Sequence, residues 1–236
     1  MKNTALAILA ACVLVTGAWA ASVPEKEYVK DSNTTFLCHF NSAEEVKALS
    51  GIIGGEAKFV PGKFGMGVQI EKSKDSLKFP SAGVFNESEG TIEMMVKSLV
   101  DLAEYKHPAD SHPYLLHLFK NDNNWLGLFY NVHNRTIVAN IASDKSGSKV
   151  SSYPQALATW KAGEWHHVAC TWGKGSTNLY IDGKIVATQK YDAGIGVQPG
   201  NFTVGCTAWC SNPAKMVIDE LRISNIMIDF NKAEDW

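Results

Sequence analysis

Apolar positions in this chain recur at every second residue far more often than at helical spacing. From 91 to 97, Ile92, Met94 and Val96 alternate with Thr91, Glu93, Met95 and Lys97, the period of a half-buried strand. Similar short runs occur at 35–40, 114–119, 125–132, 136–141, 165–172, 178–181, 184–188, 202–204 and 216–223. Clusters of Gly, Pro, Asn, Asp and Ser separate them, and Asp182-Gly183 between two runs predicts a hairpin with a type I′ turn. Helical signals are few. Residues 42–49 predict about two turns, with Ser42 as the cap and Glu44 and Glu45 in the first turn, and 101–105 predicts a similar short piece. No repeat and no Pro- or Ser-rich linker divides the chain. The pattern predicts an all-β protein, an antiparallel two-sheet sandwich or jelly roll with minor helical turns, in one domain within 21–236.

The beginning of the chain reads differently. Met1-Lys2-Asn3 is a short basic start, 4–15 is almost wholly apolar, and Ala18-Trp19-Ala20 supplies small residues for a signal peptidase. Residues 1–20 are therefore expected to be a secretory signal, placing the mature protein in the periplasm or outside the cell. The run Leu9-Ala10-Ala11-Cys12 also fits a lipid-attachment signal, but apolar residues continue past Cys12 where a lipid-anchored chain turns polar. After export Cys38, Cys170, Cys206 and Cys210 remain, and an even set in an oxidising compartment favours disulfides. Cys206 and Cys210 lie in a turn-rich segment and are expected to staple their own loop. Cys38 and Cys170 sit in strand-like runs, where they either pair or serve as small buried hydrophobes.

The chain of 236 residues is 45% hydrophobic and can bury a substantial core. Lys plus Arg number 22 and Asp plus Glu 24, so no basic excess favours a nucleic-acid partner. The body of the chain has no apolar run of about eighteen residues, and a membrane-spanning helix is not expected there.

Six segments together resemble the laminin-G-like, concanavalin A-like jelly-roll family in its bacterial secreted form. They are TFLCHF (35–40), GKFGMG (62–67), GTIEMMVK (90–97), WHHVACTW (165–172), LYIDG (179–183) and IDELRIS (218–224). The resemblance implies two stacked antiparallel sheets, one of them concave, with rim loops available to ligands. It says little about function, because the fold carries lectins, adhesion modules, carbohydrate-binding domains and glycanases. It also implies a candidate structural calcium ion held by oxygen ligands from the opening and closing strands, here Asn41 and Asp219. Relatives commonly have Asp at the position matching Asn41, so one charge is missing. The alternative for Asp219 is a hydrogen-bonded or His-paired acid, with His39 as the candidate partner.

Strict alternation along 216–223 puts Val217, Asp219, Leu221 and Ile223 on one face and Met216, Ile218, Glu220 and Arg222 on the other, mixing apolar and charged residues on both. His166 and His167 are adjacent on a strand, point to opposite faces, and read as structural. Sugars stack their C–H faces on aromatic rings and need amides for their hydroxyls. Trp125, beside the amides of Asn121, Asn123 and especially Asn124, and Trp209 on the 206–210 loop are therefore candidate ligand contacts, with Tyr130, His133 and Tyr153 completing a rim. No pair of carboxylates alternates along one strand as glycanases require, and no Ser elbow, zinc-type His motif or phosphate loop appears. Tyr130, His133 and Arg135 only loosely resemble a lyase triad. Asn33, Asn86, Asn134 and Asn201 open glycosylation sequons, read as chance in a bacterial setting. The expectation is a non-catalytic, lectin-like binder of a polysaccharide or glycoconjugate. The alternative is an adhesion module contacting another extracellular protein.

Overall fold

Alternation along Gly90–Ser98 builds a central strand whose neighbours complete a two-layer sandwich. The structure, a computed structural model, describes residues 24–106, 112–144, 148–152, 159–196 and 198–231. In chain order the strands are β1 (Thr34–Cys38), β2 (Ile52–Gly54), β3 (Lys58–Pro61), β4 (Met66–Ile70), β5 (Ser76–Pro80), β6 (Gly90–Ser98), β7 (Tyr114–Asn121) and β8 (Asn124–Asn131). There follow β9 (Thr136–Ser143), β10 (Ser148–Ser152), β11 (Trp165–Gly173), β12 (Ser176–Ile181), β13 (Lys184–Lys190), β14 (Asn201–Val204) and β15 (Met216–Ser224). One sheet of eight strands runs β13-β12-β11-β6-β15-β4-β3, with β1 also pairing β15; the other, of seven, runs β10-β9-β8-β7-β14-β5-β2. All pairings are antiparallel. The expected all-β jelly-roll sandwich is the fold.

The helical piece at the start is α1 (Ala43–Ala48). Ser42 Oγ accepts the Glu45 N–H, and the Glu45 carboxylate reaches back to accept the N–H groups of His39 and Asn41, at 2.7 Å each. This reciprocal cap satisfies donors that a helix end would otherwise leave open. The second expected piece, at 101–105, is a turn rather than a helix. At the β12–β13 hairpin Asp182 and Gly183 take φ of 51° and 71°, as a type I′ turn requires. No helix among the described residues is long and apolar enough to cross a membrane.

One continuous core fills the space between the sheets, including Phe36, Phe79, Phe85 and Phe202, whose rings meet at 5.0–5.5 Å. Within it β15 departs from simple alternation. Its pairing with β6 slips between Asp219 and Arg222, and Glu220 has a φ of 53°. This bulge inserts one residue, so Met216, Ile218, Leu221 and Ile223 all enter the core while Val217, Asp219 and Arg222 face outward. The mixed faces of strict alternation are thus corrected. The bulge also marks where β15 changes partner: Met216–Ile218 pair with β4, and Leu221–Ser224 with β1.

The terminal segments cover the outer side of the eight-stranded sheet. Tyr28 donates its N–H to Glu220 at 2.7 Å and lies under the Arg222 guanidinium, while Ile228 and Phe230 pack on Ala169 and Tyr180. Beneath them is a buried charge network. Glu93 accepts from Arg222 Nε at 2.7 Å and pairs with His167 Nε2 at 3.2 Å, both carboxylate and imidazole being fully buried. Burial alone would raise the Glu93 pKa, but His167 and Arg222 together hold it below the usual carboxylate value. His166 points the other way and stacks on Trp160 at 4.1 Å, as adjacent strand residues must.

Candidate functional site

The outer side of the seven-stranded sheet is built differently. A bulge between Tyr114 and Leu116 turns both Leu115 and Leu116 into the core and leaves Tyr114, His117 and Phe119 outward. Opposite them on β8, Trp125, Gly127 and Phe129 point the same way, with Trp125 facing Phe119 and Gly127 facing His117. Gly127 has no room for a side chain: a Cβ there would lie 2.9 Å from both the Trp125 and Tyr114 rings. After β14 the 206–210 loop turns back toward this face. Its Thr207–Ser211 hydrogen bonds keep it tight, and Ala208 donates its N–H to His117 Nδ1 at 3.0 Å.

The result is one imidazole surrounded by aromatic rings. Tyr114, Phe119, Trp125 and Trp209 have ring centres 4.7, 5.4, 5.9 and 5.8 Å from His117, and Trp209 also meets Phe119 at 4.8 Å. Trp209 is 65% exposed, whereas Tyr114, Phe119 and Trp125 are half-buried. Burial pushes the His117 pKa down to about 4 and the Tyr114 hydroxyl up to about 12, so both are neutral at ordinary pH.

Of the expected ligand contacts, the structure brings Trp125 and Trp209 together around His117. Asn124 is buried and committed within its hairpin, donating to Asn121 Oδ1 at 3.2 Å and Asp144 Oδ2 at 3.0 Å. Tyr130 is in the core, its hydroxyl donating to the Leu102 carbonyl at 2.7 Å. It lies five positions from Trp125 and so takes the opposite face of the strand. His133 is exposed in the β8–β9 turn, beside His112 at 5.4 Å and outside the cluster. Tyr153 lies outside the described residues. The cluster adds His117, Phe119 and Tyr114, whose outward placement the β7 bulge conceals from a strict two-residue reading.

The expected calcium ligands have other work. Asp219 Oδ2 accepts the N–H groups of Lys63 and Phe64 at 2.7 and 3.0 Å, and Asp219 Oδ1 accepts the Glu220 N–H at 2.9 Å. Asn41 Oδ1 accepts the Met66 N–H at 2.8 Å. Both side chains therefore fold the β3–β4 turn around themselves, with N–H donors where a cation would have to sit. The described residues hold no group of three or more His, Cys, Asp or Glu able to bind a metal ion. This arrangement does not fit calcium. Nor does His39 pair with Asp219; its Nδ1 meets Glu220 at 2.8 Å, because the β15 bulge turns Glu220 out beside it. Burial, reinforced by the Glu220 charge and opposed by the loop N–H groups, pushes the Asp219 pKa up to about 7.

All four described cysteines are thiols. Cys206 and Cys210 share one tight loop, with Ser76 Oγ donating to Cys210 Sγ at 3.5 Å. Cys38 and Cys170 cannot pair. Cys38 faces Leu221 on β15, β15 is separated from β11 by β6, and three interstrand steps amount to roughly 14 Å.

A family model described as the concanavalin A-like lectin/glucanases superfamily matches residues 71–229. The chain belongs to that superfamily. No curated protein matches its sequence. Among solved structures, this superfamily member is similar to domain 4 of AbnA, a GH43 extracellular arabinanase from Geobacillus stearothermophilus, in complex with arabinotriose. The TM-score is 0.65 at 19% identity, over 86% of this chain and 97% of that one. The binding domain of Paraclostridial Mosquitocidal Protein 1 aligns with a TM-score of 0.65 at 11% identity, over 84% of this chain and 50% of that one. The receptor-binding domain of the botulinum neurotoxin C/D mosaic serotype aligns at 0.60 and 14%, over 77% and 44%. The chain thus spans about half of these toxin domains. At these identities the likeness is one of fold.

Proposed function

We propose that this protein is an exported, non-catalytic domain that binds a glycan through the aromatic cluster on its seven-stranded sheet. The observation carrying this reading is the gathering of Trp125, Trp209, Phe119 and Tyr114 around His117, with Trp209 left 65% exposed. Flat apolar rings beside hydrogen-bonding groups suit the C–H faces and hydroxyls of a sugar. Export is supported by the leader at 1–20, and a sugar ligand by the arabinotriose bound to the similar arabinanase domain.

A non-catalytic role is supported by where the buried carboxylates lie. Glu93, Asp219 and Glu220 belong to the eight-stranded sheet and Asp75 to the β4–β5 turn, and each is engaged by Arg222 and His167, by main-chain N–H groups, or by His39 and Tyr28. Hydrolysis of a glycosidic bond needs a carboxyl pair flanking the bond. The test is a glycan array and polysaccharide pull-down with the mature protein, alongside a reducing-sugar assay. Retention of a glycan that Trp125→Ala or Trp209→Ala weakens at least tenfold, without sugar release, is expected. Failure of every glycan would overturn the reading, and sugar release would overturn the non-catalytic part. Retention of an extracellular protein instead would favour the adhesion alternative.

A further inference from the structure

Within the aromatic cluster one polar group has a fixed direction. His117 Nδ1 is occupied by the Ala208 N–H at 3.0 Å, which places the proton of the neutral ring on Nε2. Among the described residues nothing hydrogen-bonds Nε2, and His117 keeps 3% exposure at the centre of the rings. Its ring stands edge-on to Trp125, at 88°, and tilted against Trp209, at 58°.

The charge pattern narrows the ligand. The outward positions of β8 and β9, and those from Tyr114 to Phe119 on β7, carry no Asp, Glu, Lys or Arg. Lys78 shares this face two strands from His117, beyond Thr203, so a carboxylate or sulfate brought against these rings would lose water without a counter-charge within the ring cluster itself. A neutral sugar loses only hydroxyl hydration, and one hydroxyl recovers a bond from Nε2–H.

Resting on the glycan-binding reading, we propose that the site selects an uncharged oligosaccharide and that His117 is its directional contact, donating Nε2–H to a sugar hydroxyl oxygen while the pyranose or furanose rings lie on Trp125 and Trp209. Specificity would then come from one neutral donor inside an apolar frame, and the main-chain bond from Ala208 sets which nitrogen donates.

The experiment titrates the mature protein with neutral hexasaccharides (cello-, xylo-, manno-, laminari- and arabinohexaose) and with charged ones (hexagalacturonate and a sulfated counterpart). Binding of at least one neutral probe is expected, with charged probes at least tenfold weaker. His117→Phe, which keeps the ring volume but neither nitrogen, should lose about tenfold or more in affinity. His117→Gln, which keeps an acceptor for Ala208 and a donor for the sugar, should stay within about threefold. The Nε2 resonance of His117, followed by NMR in the unmutated protein, should move on ligand addition, and this readout holds even if His117→Phe fails to fold. Binding that needs Trp125 but leaves both the His117→Phe affinity and the Nε2 resonance unchanged would overturn the proposal alone. So would charged probes binding as tightly as neutral ones. Absence of binding by every probe would overturn the glycan reading and this proposal with it.

Discussion

The Ala208 N–H donates to His117 Nδ1 at 3.0 Å, so a side chain of the sheet holds in place the loop that carries the most exposed tryptophan. This bond exists only while the imidazole is neutral at Nδ1. Burial lowers the His117 pKa from 6.5 to about 4, and no charged group faces the ring from Tyr114, Phe119, Trp125 or the 206–210 loop. Above pH 6.5 the ring is neutral folded and unfolded, and its full contribution to stability is present. Between 6.5 and about 4 the unfolded chain takes up a proton the native one refuses, and stability falls by on the order of 3 kcal/mol. Urea titrations between pH 7.5 and 4 should show this decline, with Trp209 emission changing at its acid end. His117→Gln should flatten the decline, and an equal slope in that variant would count against it.

The Glu93–Arg222 pair predicts a different signature. Removing Arg222 as Arg222→Met leaves a fully buried carboxylate with His167 as its remaining partner, at a cost of about 3–5 kcal/mol. Replacing both as Glu93→Met with Arg222→Met removes the orphaned charge and should cost clearly less. Denaturant midpoints of the two single variants and the double decide it. Additive losses would mean that the charges do not act as a pair.

Asp219 and Asn41, already engaged by main-chain N–H groups, should make the β3–β4 turn sensitive to side-chain volume and indifferent to calcium. A Cβ at position 62 would lie 2.5 Å from Asp219 Oδ2, and at position 65, where φ is 58°, still closer to Asn41 Oδ1. Gly62→Ala and Gly65→Ala should each lower stability by roughly 1–3 kcal/mol, through lost acceptors or backbone strain. Millimolar calcium or a chelator should leave the melting temperature of the unmutated protein unchanged. A rise of several degrees with calcium would reveal a site these oxygens do not describe.

In an oxidising compartment Cys206 and Cys210 are expected to close into a disulfide, since both sit in one tight turn with Ser76 against Cys210. Burial raises the Cys206 thiol pKa to about 12 and that of Cys170 equally, so neither reacts readily while reduced and folded. Mass spectrometry of protein isolated from an oxidising compartment should find the 206–210 link, with Cys38 and Cys170 titrating only after denaturation. Four reactive thiols in the denatured oxidised protein would contradict this.

The two-layer architecture was legible in the sequence because most strands bury one face and alternate cleanly, as 91–97 does. Where the reading slipped, a single inserted residue was responsible. The bulge at Glu220 rephases β15, so Glu220 turns out of the core beside Asp219, and His39 finds the second acid rather than the first. The bulge after Tyr114 similarly hides the outward setting of His117 and Phe119. Bulges leave little mark in composition, because one extra apolar residue reads equally well as a longer core run. Trp209 was legible for the opposite reason: a large ring on a short loop has few places to be buried. Tyr130 was a misplaced parity, visible in its odd separation from Trp125.

Tyr28 near one end of the described chain and Phe230 near the other both lie against the back of the eight-stranded sheet. A support that grips the protein through the surface around these two rings would therefore leave the opposite face, with Trp125 and Trp209, pointing into free solution.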